Sequence, residues 1–234
     1  MAASAATSKD NAQKILAGCS LFRGLSAPVI AALVARAHIR SFSKGDVIFT
    51  MGSEGDCLMA VLSGTVRIEI ASIAGRDMLL ALLNAGEIFG EIAVLDGRER
   101  TADAVAHTAC TLAVLDRRDI LAMLEREPSA WLSIVEILCG RLRNTDQQIV
   151  EVAFLDLPAR LASALLRISQ RPDNSEALAP VTLSQRALGE MVGASRESVN
   201  KCLSQWQRAR LIRIQGADIR ITNRDALEQI AEGD

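Results

Sequence analysis

The stretch Gly86-Glu87-Ile88-Phe89-Gly90-Glu91-Ile92-Ala93-Val94-Leu95, followed after two residues by Arg98-Glu99-Arg100-Thr101-Ala102, sets glycines, a carboxylate and an arginine between apolar runs. A glycine ahead of a short helical turn lets backbone amides approach an anion closely. Phe89, Gly90, Glu91, Ile92 and Ala93 are therefore expected to form a phosphate cradle. Arg100 would bring a planar, permanently charged fork to the phosphate oxygens, and Thr101 would add a hydroxyl donor. Glu91 can accept a hydrogen bond from a sugar hydroxyl while pairing with Arg100.

The flanks of this stretch are built of short Val/Ile/Leu-rich runs separated by glycines at 45, 52, 55, 64, 75, 86, 90 and 97. Glycine at turn spacing between alternating runs predicts strands, here Val47 to Met51, Leu58 to Leu62, Thr65 to Ile70, Met78 to Leu83, Ala102 to Ala106 and Thr111 to Leu115. So many short strands suggest a roll or barrel. Helical spacing precedes them in Asp10 to Ala17 and Ala27 to Ala37, and returns after them in Arg117 to Arg126.

A longer helical segment begins near Pro128. Within it Val135, Leu138, Leu142, Thr145, Ile149 and Val152 recur at steps of three and four, a heptad seam that predicts a dimerising helix. Leu157-Pro158 is expected to break the run, because proline removes a backbone donor and disfavours helix at the residue before it. Beyond lie predicted helices from Ala159 to Gln170, Ser184 to Met191 and Ser195 to Arg208, a turn at Gly193, a hairpin over Leu211 to Thr222 and a last short helix after Asn223. Two helices separated by a glycine turn and followed by a strand pair match a winged helix-turn-helix. The expected fold is thus α+β: a jelly-roll-like N-terminal β-roll with leading helices (1–127), a long dimerisation helix and hinge (128–157), and a C-terminal winged helix-turn-helix (158–234).

Charge supports this division. Lys and Arg number 15 against 19 Asp and Glu up to Leu157, but 11 against 9 from Pro158 onward, and 6 against 2 within Ser184 to Arg213. Concentrated positive charge on an otherwise acidic chain is the footprint of a nucleic-acid-binding element. In the second helix of the pair, Ser195 is a favourable N-cap and Val199 packs inward with Leu188 and Val192. That leaves Arg196, Glu197, Asn200 and Lys201 exposed, residue types that read guanine, cytosine and neighbouring bases or phosphates in a major groove. Ser184 and Gln185 at the start of the first helix complete the expected DNA-contacting set.

Other classes lack support. At 50% apolar and 23% charged residues, with no apolar run near the roughly 20 residues that span a bilayer, the chain reads as globular rather than membrane-embedded. Met1 to Asp10 has neither the charged head nor the apolar core of a secretory signal, predicting a disordered, cytoplasmic start. Five scattered cysteines form no CxxC pair, and two histidines make a metal site improbable. No nucleophile-base pair is visible, and fewer than 80 residues follow the hinge, so an enzyme is not expected.

The ordered combination of Phe89-Gly90-Glu91 with Arg100-Thr101, together with Lys44-Gly45-Asp46, Gly52 and Gly64, resembles the phosphate-binding cassette of cyclic-nucleotide-binding domains. Ser195-Arg196-Glu197 and its surroundings are similar to the recognition helix of the cyclic AMP receptor protein family, and with Ala153-Phe154-Leu155-Asp156 the likeness covers nearly the whole chain. Lys201 departs from the arginine usual there and lacks the planar fork that reads a base bidentately. The resemblance implies a homodimer, double-stranded DNA and RNA polymerase as partners, no covalent cofactor, and a cyclic nucleotide effector held also by Arg141, Thr145 and Asp146 of the long helix. Relatives that bind cyclic AMP carry Thr-Ser where this chain has Thr145-Asp146. An ionised Asp146 only accepts hydrogen bonds, which adenine's amino group or guanine's N1 and N2 hydrogens could supply. Cyclic AMP is the first expectation and cyclic GMP the second. Iron-sulfur and haem sensors of the same superfamily fit less well, since only Cys19 lies near the N-terminus and no axial ligand pair is evident. A purely structural dimer and a regulatory subunit that binds no DNA complete the alternatives.

Overall fold

Among the described residues, eight short strands of the N-terminal half pair into two four-stranded sheets. In the computed structural model, which describes residues 12–71, 77–169, 178–216 and 218–233, β1 (His38–Phe42), β8 (Cys110–Asp116), β3 (Cys57–Ser63) and β6 (Ile88–Phe89) form one sheet in that order. The second runs β2 (Val47–Phe49), β7 (Asp103–Ala106), β4 (Val66–Ile70) and β5 (Met78–Leu83). All six strands expected from sequence are present within a residue or two of their limits. Strands β1 and β6 are additional: β1 alternates only weakly, and β6 is two residues long.

Period two explains the packing. Met59 and Val61 of β3, with Leu112 and Val114 of β8, point between the sheets with Phe42, Val66, Phe89 and Ala104. The alternate residues Leu58, Ala60, Leu62, Ala113 and Leu115 face the other way, into a second core roofed by α1 (12–18), α2 (Ala27–Arg36), α4 (Arg117–Arg126) and the start of α5 (Ser129–Phe154). Buried on both faces, β3 and β8 read as nearly continuous apolar runs rather than alternating ones. Leu58, Leu112 and Leu115 are at most 1% exposed, and burying each contributes about 1.5–3 kcal/mol.

Helix α5 buries Ala130 and Ile134 and rests Ile137 and Leu138 on the helical core. The exposed side carries Leu132, Val135, Leu142, Ile149 and Val152, each 49–65% accessible. Leu138 therefore leaves the expected seam, and the exposed Cys139 stands at its edge. The helix does not run to Pro158. It ends at Phe154, and α6 (Leu157–Ser169) already contains that proline in its first turn, where the missing donor would lack an intrahelical partner anyway. The break is Leu155-Asp156, and Asp156 caps α6 by accepting from the Ala159 amide at 3.0 Å.

The described residues divide into two compact units, one within 1–71 and 79–143, the other within 72–78 and 144–234, so the division falls inside α5. In the second unit α6 packs on α7 (Gln185–Val192) and α9 (Arg224–Glu232), while α8 (Arg196–Arg208) packs on α7. Strands β10 (Ile212–Gln215), β11 (Asp218–Ile221) and β9 (Val181–Thr182) form the wing sheet in that order. Leu188, Val192 and Val199 are buried as the motif requires. Gly189 is needed inside α7 because a Cβ there would stand 2.6 Å from the Ala194 carbonyl oxygen. Most of the expected loop from Pro172 to Pro180, and Gln170 at the expected end of α6, lie outside the described residues, as does Met1 to Asp10. No described helix is long and apolar enough to cross a membrane.

Candidate functional site

Strand β6 delivers the chain to Gly90, which adopts φ 78° and starts α3 (Glu91–Asp96). A side chain at Gly90 would meet both the left-handed backbone penalty and the Arg100 guanidinium, 2.5 Å from its Cβ position. The turn opens into a small, partly open pocket lined by Phe89, Gly90, Glu91, Ile92, Ala93, Arg100, Thr101 and Arg141, all anticipated from sequence. Phe49, Ile68 and Ala102 also line it and were not anticipated, since single apolar residues carry no signature of a ligand site.

Two charges are buried in this wall: Arg100 is 4% exposed and Glu91 1%. They do not pair as expected. The Arg100 Nη1 donates to the Gly90 carbonyl at 2.8 Å, its Nη2 donates to the Cys57 carbonyl at 2.7 Å and Sγ at 3.3 Å, and its guanidinium stacks 4.4 Å above the Phe49 ring centroid. Glu91 takes Arg141 as partner, Oε1 accepting from Nη1 at 2.5 Å, while Arg141 Nη2 donates to the Ile88 carbonyl. The reason is reach: Gly90 and β3 present carbonyls directly to Arg100, and α5 brings Arg141 over the cassette. Glu91 Oε2 and Arg100 Nε are buried without a hydrogen-bond partner. Such atoms cost about 1–3 kcal/mol apiece, more when charged, unless a ligand satisfies them. Burial raises the Cys57 thiol, a rise that Arg100 partly offsets, and burial also raises Glu87, which accepts from the Asn84 amide.

Thr145 and Asp146 do not line the cavity; both are exposed and follow Arg141 by about one turn on α5.

In the second unit the caps fall where the motif puts them. Ser184 Oγ accepts from the Ala187 amide at 3.1 Å and Ser195 Oγ from the Ser198 amide at 3.2 Å, starting α7 and α8. Arg196, Glu197, Asn200 and Lys201 are all exposed on the outer side of α8. Gln185 reaches from α7 to Asn200, an amide pair that spacing alone did not reveal.

Comparison with known proteins matches residues 39–127 to a cyclic nucleotide-binding domain and residues 159–230 to a Crp-like helix-turn-helix domain. The chain is 32% identical, over 93% of its length and 99% of the relative's, to a CRP-like cAMP-activated global transcriptional regulator of Mycobacterium tuberculosis. It belongs to the cyclic AMP receptor protein family.

A second member of this family, the cyclic AMP receptor protein of Thermus thermophilus, is likewise 32% identical, over 92% of this chain and 98% of the relative. Among solved structures, the CRP/FNR-family transcriptional regulator TTHA1359 of Thermus thermophilus superposes with a TM-score of 0.65 at 30% identity, covering 83% of this chain and 98% of its own. The family consists of transcription regulators and not enzymes. The chain is accordingly a cyclic-nucleotide-binding transcription regulator with a helix-turn-helix DNA-binding domain.

Proposed function

We propose that the protein is a homodimer whose two DNA-binding domains are switched by a cyclic nucleotide, cyclic AMP first, bound in the cassette of the roll. The observation that carries this reading is a pair of buried, unsatisfied atoms on two residues that line one pocket: Glu91 Oε2 lacks a donor and Arg100 Nε lacks an acceptor. A ribose hydroxyl and a cyclic phosphate supply one of each. The cavity's backbone turn at Gly90 to Ala93 offers amides to the same phosphate. Two curated relatives named for cyclic AMP, each 32% identical, favour that ligand.

The exposed apolar residues of α5 support the dimer. Leu132, Val135, Leu142 and Ile149 lie three or seven residues apart on one stripe, and a second copy would cover it as a coiled coil. In that arrangement Thr145 and Asp146 stand near the dimer axis, where either can meet a base. Ligand acts through unequal affinity for two arrangements about Leu155-Asp156. The active form presents two α8 helices about 34 Å apart to successive major grooves of a palindromic site. RNA polymerase is the protein partner and the cytoplasm the compartment that this role requires.

Asp146 favours cyclic GMP as a second reading, because an acceptor-only carboxylate can take two guanine donors but only the amino group of adenine. Calorimetric titration of the wild type and Asp146→Ser with both nucleotides decides between them. Cyclic AMP should bind the wild type, and Asp146→Ser should shift selectivity towards it by about 1–2 kcal/mol. Binding of neither nucleotide would refute the reading, and an unchanged selectivity ratio would return Asp146 to an ordinary surface role.

A further inference from the structure

Asn200 sits one turn beyond Arg196 on the exposed side of α8, a position from which an asparagine can read adenine by accepting from N6 through its carbonyl oxygen and donating to N7 through its amide. Here the carbonyl end is already engaged. Gln185 Nε2, from the start of α7, donates to Asn200 Oδ1 at 3.2 Å, and Ser204 Oγ, one turn further along α8, donates to the same oxygen at 3.5 Å. A carboxamide oxygen has two lone pairs, and both are in use. With Oδ1 so engaged, the end of the amide left to contact a base is Nδ2, with two N–H donors.

We infer that Gln185 fixes the amide of Asn200 so that it reads DNA as a donor only, selecting a guanine edge over adenine at one base pair of each half-site. Guanine offers O6 and N7 as adjacent acceptors for two donors, whereas adenine sets its N6 donor against the amide hydrogens. Gln185 is thereby a positioning residue, acting on specificity through Asn200. This inference rests on α8 being the DNA-reading helix and adds the polarity with which one of its residues reads.

The test is selection of bound sites from a randomised palindromic duplex library by the full chain with cyclic AMP present, for the wild type, Asn200→Ala, Gln185→Ala and Gln185→Glu. Asn200→Ala should erase preference at one base pair per half-site, by roughly 5-fold to 100-fold, and so locate the position it reads. There the wild type should favour guanine. Gln185→Ala frees Oδ1 and should lower the guanine-to-adenine ratio at that position alone. Gln185→Glu can only accept, so it draws Nδ2 towards itself, turns Oδ1 into the groove and should reverse the ratio to favour adenine, with any loss of affinity from the added charge spread evenly over sequences. Adenine in the wild-type selection, or a ratio unmoved by both Gln185 variants, would overturn the inference while leaving α8 as the reader. If Asn200→Ala changes no position, Asn200 reads nothing and the inference falls. If Arg196→Ala, put through the same selection, also leaves every position unchanged, the assignment of α8 falls with it.

Discussion

At the scale of the residue, Arg100 is held in place by protein groups alone. Two carbonyls and an aromatic ring fix its guanidinium, so its fork is oriented before any phosphate arrives. Truncation to alanine would leave the Gly90 and Cys57 carbonyls without this donor and lower stability as well as binding. Arg100→Lys separates the two effects, since it keeps the charge and loses the planar fork. We expect it to remain folded and to bind cyclic nucleotide at least 10-fold more weakly by calorimetry. Undiminished affinity would remove Arg100 from the site. The pairing of Glu91 with Arg141 instead of Arg100 was not legible in the sequence, because Arg141 lies 50 positions away and only the α5 packing brings it over the cassette. Cassette residues could be read because their spacing is local; partners that converge from distant elements could not. Cys19, wholly buried beneath the roll, has its thiol pushed up to about 11 from 9.0 by desolvation. Its neutral form is thus favoured by folding, a contribution complete below pH 9 and lost as pH rises towards 11. Guanidinium melts between pH 8 and 11 should show a shallower decline for Cys19→Ala than for the wild type.

At the scale of the element, α5 and α8 carry the testable load. The stripe of Leu132, Val135, Leu142 and Ile149 is exposed on a single chain, and Leu142 is 61% accessible at its centre. In the proposed dimer, Leu142→Asp would remove about 1.5–3 kcal/mol of apolar burial per chain and set like charges together across a two-fold axis. Sedimentation should find a dimer for the wild type and a lighter species for the variant at micromolar concentration. On α8, Arg196→Ala should cost about 1–3 kcal/mol and relax preference at a single base pair. Lys201→Ala should weaken all sequences more evenly and flatten the salt dependence, as loss of a phosphate contact does. Helix limits here were legible to within two residues, since Ser184, Gly193, Ser195 and Asn223 mark them with side-chain and backbone chemistry that acts locally. The end of α5 was misplaced by three residues because Pro158 signals a boundary equally well at a break or just inside a new helix, and Asp156 decides in favour of the latter. Strands β1 and β6 escaped notice because long-range pairing to β8 and β3, not their own composition, makes them strands.

At the scale of the whole molecule, one chain carries the pocket at Gly90 in its first unit and helix α8 in its second, with the division between the units inside α5. The architecture was legible because its two motifs are local and their order along the chain matches one family. The identity of the ligand was not, since Thr145 and Asp146, the residues expected to meet the base, are exposed on α5 and do not line the pocket. The claim that joins these parts is that nucleotide in the roll governs binding at α8. It is tested most directly by fluorescence anisotropy of a labelled palindromic duplex, chosen by selection, titrated with the full chain with and without saturating cyclic AMP or cyclic GMP. At least one nucleotide should tighten DNA binding about 10-fold or more, corresponding to a coupling of about 1.4 kcal/mol. Superimposable isotherms with neither nucleotide, with cyclic AMP and with cyclic GMP would contradict the account.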